Sequence, residues 1–156
     1  MTFEAGARAA GLNPEVGKQG MKGRDRPLVH CERGSRISGS VDIDAHFSAA
    51  EANSPRWDYG LGVVSGTEYS IWIEVHPANS TREIDEVIRK FVWLKAKLGS
   101  ADYRRLKELT SLASAHNTKA FQWVATGKCS FRAGGKEEKK LATHGLSLPQ
   151  RCAIVR

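Results

Sequence analysis

The chain has few of the features that would assign it quickly. No apolar run approaches the roughly 20 residues needed to cross a membrane, and the first residues lack the apolar segment of a secretory signal, so the cytoplasm is the expected location and no membrane partner is expected. There is no Gly-x-Gly-x-x-Gly fingerprint and no phosphate-binding Gly-Lys-Ser/Thr loop, which argues against dinucleotide or nucleotide-driven chemistry. A Gly-x-Ser-x-Gly elbow is also missing, and with it the usual signature of an α/β-hydrolase triad. Cysteine is scarce: Cys31, Cys129 and Cys152 are odd in number and far apart. They suggest neither a disulfide framework nor a structural zinc site, and they read as reduced structural residues. Acidic residues are outnumbered, 17 against 24 Lys and Arg, for a formal net charge of +7. Such a surplus favours polyanionic partners, nucleic acid first among them.

What the chain does contain centres on Arg56 to Leu98. Asp58 to Val64 and Tyr69 to His76 both have strand character, and Ser65-Gly66-Thr67 suits a tight hairpin with glycine at the strained position. If Val64 pairs with Glu68, Gly60 lies opposite Trp72 and Asp58 opposite Glu74. Their Cβ atoms would then be roughly 4.5–5.5 Å apart. Two carboxylates so placed repel, and the arrangement asks for a cation, a shared proton or a cationic neighbour. At the strand period of two, Ile71, Ile73 and Val75 point to one face as core, and Trp72, Glu74 and His76 to the other.

The regions around this hairpin read as follows. Residues 1–26 are expected to be a flexible basic arm, with at most a short helix near Glu4 to Ala10, and residues 27–156 a single domain. Pro27 to Cys31 reads as a short strand. Ile37 to Phe47 reads as a longer alternating one that puts Asp42, Asp44 and His46 on its polar face, where an acid can join Asp58 and Glu74 or simply face solvent. Ser80-Thr81-Arg82-Glu83 has the capping-box pattern, and Ile84, Val87, Ile88, Phe91, Leu94 and Leu98 form the apolar stripe of a long helix closed at Gly99. A second helix is expected over Ala101 to Ala115, a strand over Phe121 to Thr126, a helix over Lys136 to Thr143 and a last strand at Cys152 to Val155. Strands interrupted by a crossover helix predict an α/β (α+β) fold with a mixed sheet of about four to five strands flanked by helices.

The chemistry legible in these residues is that of hard cations. Asp58 and Glu74 offer carboxylate oxygens suited to Mg or Mn, and His76 an imidazole that can serve as ligand or base. Such a site can act on a phosphodiester. Trp72 can either stack on a base or pack beneath a helix. Arg56 is either a phosphate contact or an ion-pair partner of an acid. Lys128 and Arg132, with Lys136, Lys139 and Lys140, form a basic run able to follow a phosphate backbone or simply to face water.

An Asp opening one strand, a Glu-x-His on the next and then a long helix resemble the PD-(D/E)XK, or restriction-endonuclease-like, nuclease superfamily. The resemblance spans Val41 to Trp123. It implies a mixed four-stranded central sheet with flanking helices and metal-dependent cleavage of nucleic acid. Asp58 matches the metal-binding Asp, Glu74 the second acid, and His76 stands where the family usually has Lys. The expected function is therefore a nuclease-like protein that binds nucleic acid and cleaves it with Mg or Mn. A non-catalytic binding or interaction module on the same scaffold is the alternative, with a protein partner or a second copy as its target. A small structural or immunity-type protein, in which Glu74 and His76 satisfy each other, is a third.

Overall fold

A computed structural model describes residues 1–32 and 34–156. Its elements run in the order α1 (Phe3–Ala9), β1 (Glu15–Val16), β2 (Val29–Cys31), β3 (Arg36–Asp42), α2 (Ile43–Phe47), β4 (Tyr59–Ser65), β5 (Thr67–Pro77), α3 (Thr81–Leu98), α4 (Arg104–Ser111), β6 (Phe121–Thr126), α5 (Lys136–Thr143) and β7 (Ala153–Val155). Five strands form a mixed sheet in the order β1-β3-β4-β5-β6, and β2 and β7 form a parallel pair of their own. The α+β class with a mixed, helix-flanked sheet is thus as expected. Among the described residues, no helix is long and apolar enough to cross a membrane.

The β4–β5 hairpin fixes the architecture. Gly66, at φ +77°, makes the turn, and Val64 pairs with Glu68, Gly60 with Trp72 and Tyr59 with Ile73, the register expected from the sequence. Gly60 has no side chain because the Trp72 indole lies flat on it: a Cβ there would stand 2.6 Å from Trp72 Cζ3. From β5 the chain crosses over through α3 and α4 to β6, which pairs with β5 in parallel, as a crossover helix requires.

Both faces of this sheet are covered, so the division into one core face and one chemical face does not hold. On one side Trp72, Trp57 and Trp123 pack with Phe3 and Ala7 of α1, Ile84 to Leu98 of α3, Leu106 of α4 and Leu141 of α5. On the other, Tyr59, Leu61, Val63, Ile71 and Ile73 pack with Met21, Val29, Ala153 and Val155. Alternation in β5 reports which cluster a residue joins, and Glu74 falls on the helix side.

Three elements depart from the sequence reading. Residues 1–26, expected as a flexible arm, lie on the domain. Thr2 caps α1 by accepting from Ala5 N, and Phe3 N donates to Glu68 Oε1 at 3.0 Å. Phe3, Leu12 and Met21 are each at most 2% exposed, and Lys18 donates to the Val29 carbonyl at 2.9 Å. Few large apolar groups suffice here because each is fully buried. The strand expected over Ile37 to Phe47 ends at Asp42, whose carboxylate accepts from Ala45 N at 2.8 Å and starts α2. Side-chain capping by an aspartate outcompetes further strand pairing there. The capping box of α3 does not close either: Ser80 is the N-cap without a side-chain bond, and Glu83 turns to His76 instead.

If α1 is integral to the core, Phe3→Ala lowers unfolding free energy by about 3–5 kcal/mol, the usual cost of truncating a buried phenylalanine. Urea unfolding measures it, and an unchanged midpoint would return residues 1–26 to the status of an arm.

Candidate active site

The site lies where the hairpin meets α3. Asp58 immediately precedes β4, and strand register brings it beside Glu74 of β5. The two residues clasp each other through the backbone: Asp58 N donates to Glu74 Oε2 at 3.0 Å, and Val75 N donates to Asp58 Oδ2 at 3.0 Å. Glu74 is completely buried. Its remaining oxygen, Oε1, accepts from Lys90 Nζ, which descends from α3. Lys90 is therefore the cation that the carboxylate pair demanded. It was not among the residues picked out from the sequence. A signal was there: Glu83, Glu86 and Lys90 share one flank of α3 at helical spacing, bordering the apolar stripe.

Electrostatics follow from this burial. Loss of water around Glu74, then the nearby Asp58 charge, push its carboxyl well above the ordinary range, against the pull of Lys90. Asp58 is raised for the first of these reasons, with Lys90 and the Val75 amide opposing. For Lys90, burial disfavours the charged form, but Glu74 outweighs it and the ammonium is held above its usual pKa. Two carboxyls raised together beside one ammonium form a site short of positive charge.

Asp58 opens onto a cleft of about 650 Å³ whose lining includes Lys22, Arg24, Tyr59, Pro77 and Thr126. Asp58 Oδ1 accepts no hydrogen bond from the described residues, whereas both Glu74 oxygens do. The open donor, Asp58 Oδ1 at the cleft mouth, fits Mg or Mn in kind, being a hard carboxylate oxygen, whereas Glu74 lies behind it with both oxygens engaged.

The other expected residues are placed differently. His76 does not turn toward Asp58. Its Nδ1 stands 3.7 Å from Glu74 Oε1, and its Nε2 meets Glu83 Oε2 at 2.5 Å and Glu86 Oε2 at 3.1 Å. Trp72 is fully buried and donates from Nε1 to Thr110 Oγ1 at 2.9 Å, so base stacking is closed to it and the packing alternative is the correct one. Arg56 is tied to Asp44 at 2.9 Å and to the Glu51 and Ala52 carbonyls, which makes it an internal ion-pair partner. Asp42 and Asp44 stay close enough to Asp58 to raise its pKa, yet one caps α2 and the other holds Arg56. Lys128 and Arg132 are exposed on the segment between β6 and α5, while Lys140 of the same basic run pairs with Asp85. All three cysteines are free thiols, and Cys129 is exposed, against the expectation of three structural residues.

No protein-family model matches the chain, and comparison with curated proteins and with solved structures finds no match.

The raised Asp58 carboxyl carries a stability consequence. A group that holds its proton more tightly folded than unfolded contributes stability below the unfolded pKa, near ~4, and that contribution is lost as pH rises through the folded value. Asp58→Asn keeps an oxygen for the Val75 N–H and removes the ionisation. The variant is expected to be more stable than the wild type at pH 7, with the difference shrinking toward pH 4. Denaturant unfolding at both pH values checks the sign.

Proposed function

We propose that this protein binds nucleic acid and cleaves its phosphodiester backbone at Asp58, Glu74 and Lys90. The observation that carries the reading is the convergence of these three side chains: an acid opening one strand, an acid on its hairpin partner and a lysine, beside a cleft bordered by Lys22 and Arg24. The resemblance to the PD-(D/E)XK superfamily asks for two acids and a lysine, and Lys90 supplies from the helix the amine that His76 does not supply from the strand. The meander β3-β4-β5, the crossover through α3 and the parallel β6 suit the same resemblance.

In this mechanism Lys22 and Arg24 attract and seat the phosphate backbone at the cleft mouth. Asp58 at the cleft is the residue that would hold Mg or Mn, with Glu74 joining it only if its hydrogen bonds open, and the ion would supply Lewis-acid stabilisation of phosphoryl charge and a more acidic water. Glu74, held by the Asp58 amide and Lys90, fixes the position of Asp58. Lys90 donates to Glu74 from behind the cleft, opposes the upward push on its carboxyl and adds positive charge to a site that is short of it. Burial of the pair lowers the local dielectric, so each charge acts more strongly on the phosphate than it would in water.

A second reading, a nucleic-acid-binding module without cleavage, is favoured by one observation: both Glu74 oxygens are already bonded and the side chain is inaccessible. Incubation with single- and double-stranded DNA and RNA, with Mg or Mn, separates the two. Under the first reading, cleavage is seen and Asp58→Asn lowers it by about a hundredfold or more, the scale of removing one group that stabilises transition-state charge. Under the second, cleavage is absent while salt-sensitive binding persists without metal, and Lys22→Ala and Arg24→Ala each reduce the salt slope by about 1. Neither cleavage nor binding would retire both.

A further inference from the structure

A different set of donors lies one strand residue beyond Val75. His76 Nε2, Glu83 Oε2 and Glu86 Oε2 converge, with the imidazole nitrogen 2.5 Å from one carboxylate and 3.1 Å from the other. All three ligand atoms lie within 4.8 Å of one another. Donors bound to a single ion at about 2.0–2.2 Å stand roughly 3 Å apart; the His76–Glu86 separation has that spacing already, and the His76–Glu83 hydrogen bond would open by about 0.5 Å to admit an ion. We propose that His76, Glu83 and Glu86 form a divalent transition-metal site, of the zinc and cobalt type, separate from the Asp58–Glu74 pair.

Three features make the arrangement a built one. Its members come from rigid elements, His76 from the end of β5 and the two glutamates from the first turns of α3 at a spacing of three, which puts both on the flank facing the strand. Glu83 is diverted from the capping role that its sequence position offers, and the helix N-terminus goes without a side-chain cap. The strand end that carries the ring is anchored: the His76 backbone carbonyl accepts from Trp123 Nε1 at 2.9 Å, and the fully buried Glu74 carboxylate lies behind Nδ1 at 3.7 Å, beyond hydrogen-bond reach.

Charge and access agree. Among the described residues, the two carboxylates and the imidazole have one cation in ion-pair reach besides the histidine itself, Arg82, 3.5 Å from Glu86 Oε1 and 87% exposed. The Lys90 ammonium is committed to Glu74. Side-chain exposures of 14%, 20% and 33% for His76, Glu83 and Glu86 leave a path for an ion and room for water on its outer side. Imidazole in the donor set selects zinc, cobalt or manganese over magnesium, whereas the all-carboxylate pair at Asp58 suits magnesium or manganese. The inference does not rest on the nuclease reading, because the ligands are different residues.

The test is titration of the full-length chain with Co²⁺, read by visible d–d absorption, and with Zn²⁺, read by calorimetry. Wild type, Glu86→Gln and Asp58→Asn are compared, with thermal unfolding to confirm that each is folded. Glu86 is the most exposed of the three residues. The expected result is one equivalent bound by wild type, affinity reduced about tenfold or more in Glu86→Gln, and binding unchanged in Asp58→Asn. Magnesium should compete poorly. Absence of binding at millimolar metal would overturn the site and leave His76 as a polar partner of the Glu83 and Glu86 carboxylates. Binding lost in Asp58→Asn but kept in Glu86→Gln would overturn it too, by placing the ion at the Asp58–Glu74 pair. Loss of nucleic-acid cleavage alone bears on neither outcome, since the readouts are spectroscopic and calorimetric.

Discussion

A carboxylate with no access to water sits at the junction of sheet and helix, and the rest of the fold has to satisfy it. Glu74 is an expensive residue to bury: an ionised carboxylate in low dielectric is strongly disfavoured unless it is paired and hydrogen-bonded. Its two partners come from different directions, the Asp58 amide from within the hairpin and the Lys90 ammonium from α3. The apolar stripe of α3 would allow the helix to dock in several nearby rotations or shifts. Only a docking that brings Lys90 over Glu74 avoids leaving both charges unmatched. The pair therefore acts as a registration device between layers, at the same point where the polar chemistry is concentrated.

The polar seam extends from this junction in two directions. Toward the cleft it ends in Asp58, with Lys22 and Arg24 on the rim. Toward the start of α3 it passes from Glu74 to the His76 ring and on to Glu83 and Glu86. One buried glutamate thus holds a strand acid on one side and lies 3.7 Å from an imidazole on the other. The seam divides into an oxygen-only end and an end that includes nitrogen.

How far this was legible in the chain depends on whether the determining interaction is local. The β4–β5 register could be read because Gly66 and the flanking alternation fix it within a dozen residues. The long helix and the strand Phe121 to Thr126 were equally clear, since a six-residue apolar stripe and a short β-rich run are hard to satisfy otherwise. The helix at Ile43 was missed because hydrophobic alternation and an aspartate cap compete over the same residues, and the cap wins. The first 26 residues looked loose because burial of Phe3, Leu12 and Met21 depends on surfaces assembled far along the chain. At the site, Asp58 beside Glu74 was legible from strand pairing. Lys90 and the two helix glutamates were not, because their roles depend on how α3 rotates onto the sheet. Trp72 was assigned to the right face, but that face proved to be covered, which a period of two cannot reveal.

The spacing of the site along the chain has a kinetic meaning. The hydrogen bonds joining Asp58 to Glu74 and Glu74 to Lys90 each span 16 residues. All three groups therefore belong to one continuous β4–β5–α3 segment, whereas α1 bonds to Glu68 across 65 residues. Contacts at short separation close small loops and lose little chain entropy. The segment that carries Asp58, Glu74 and Lys90 can thus be assembled before the ends of the chain arrive, and α1 and β6 then close around a cluster already formed.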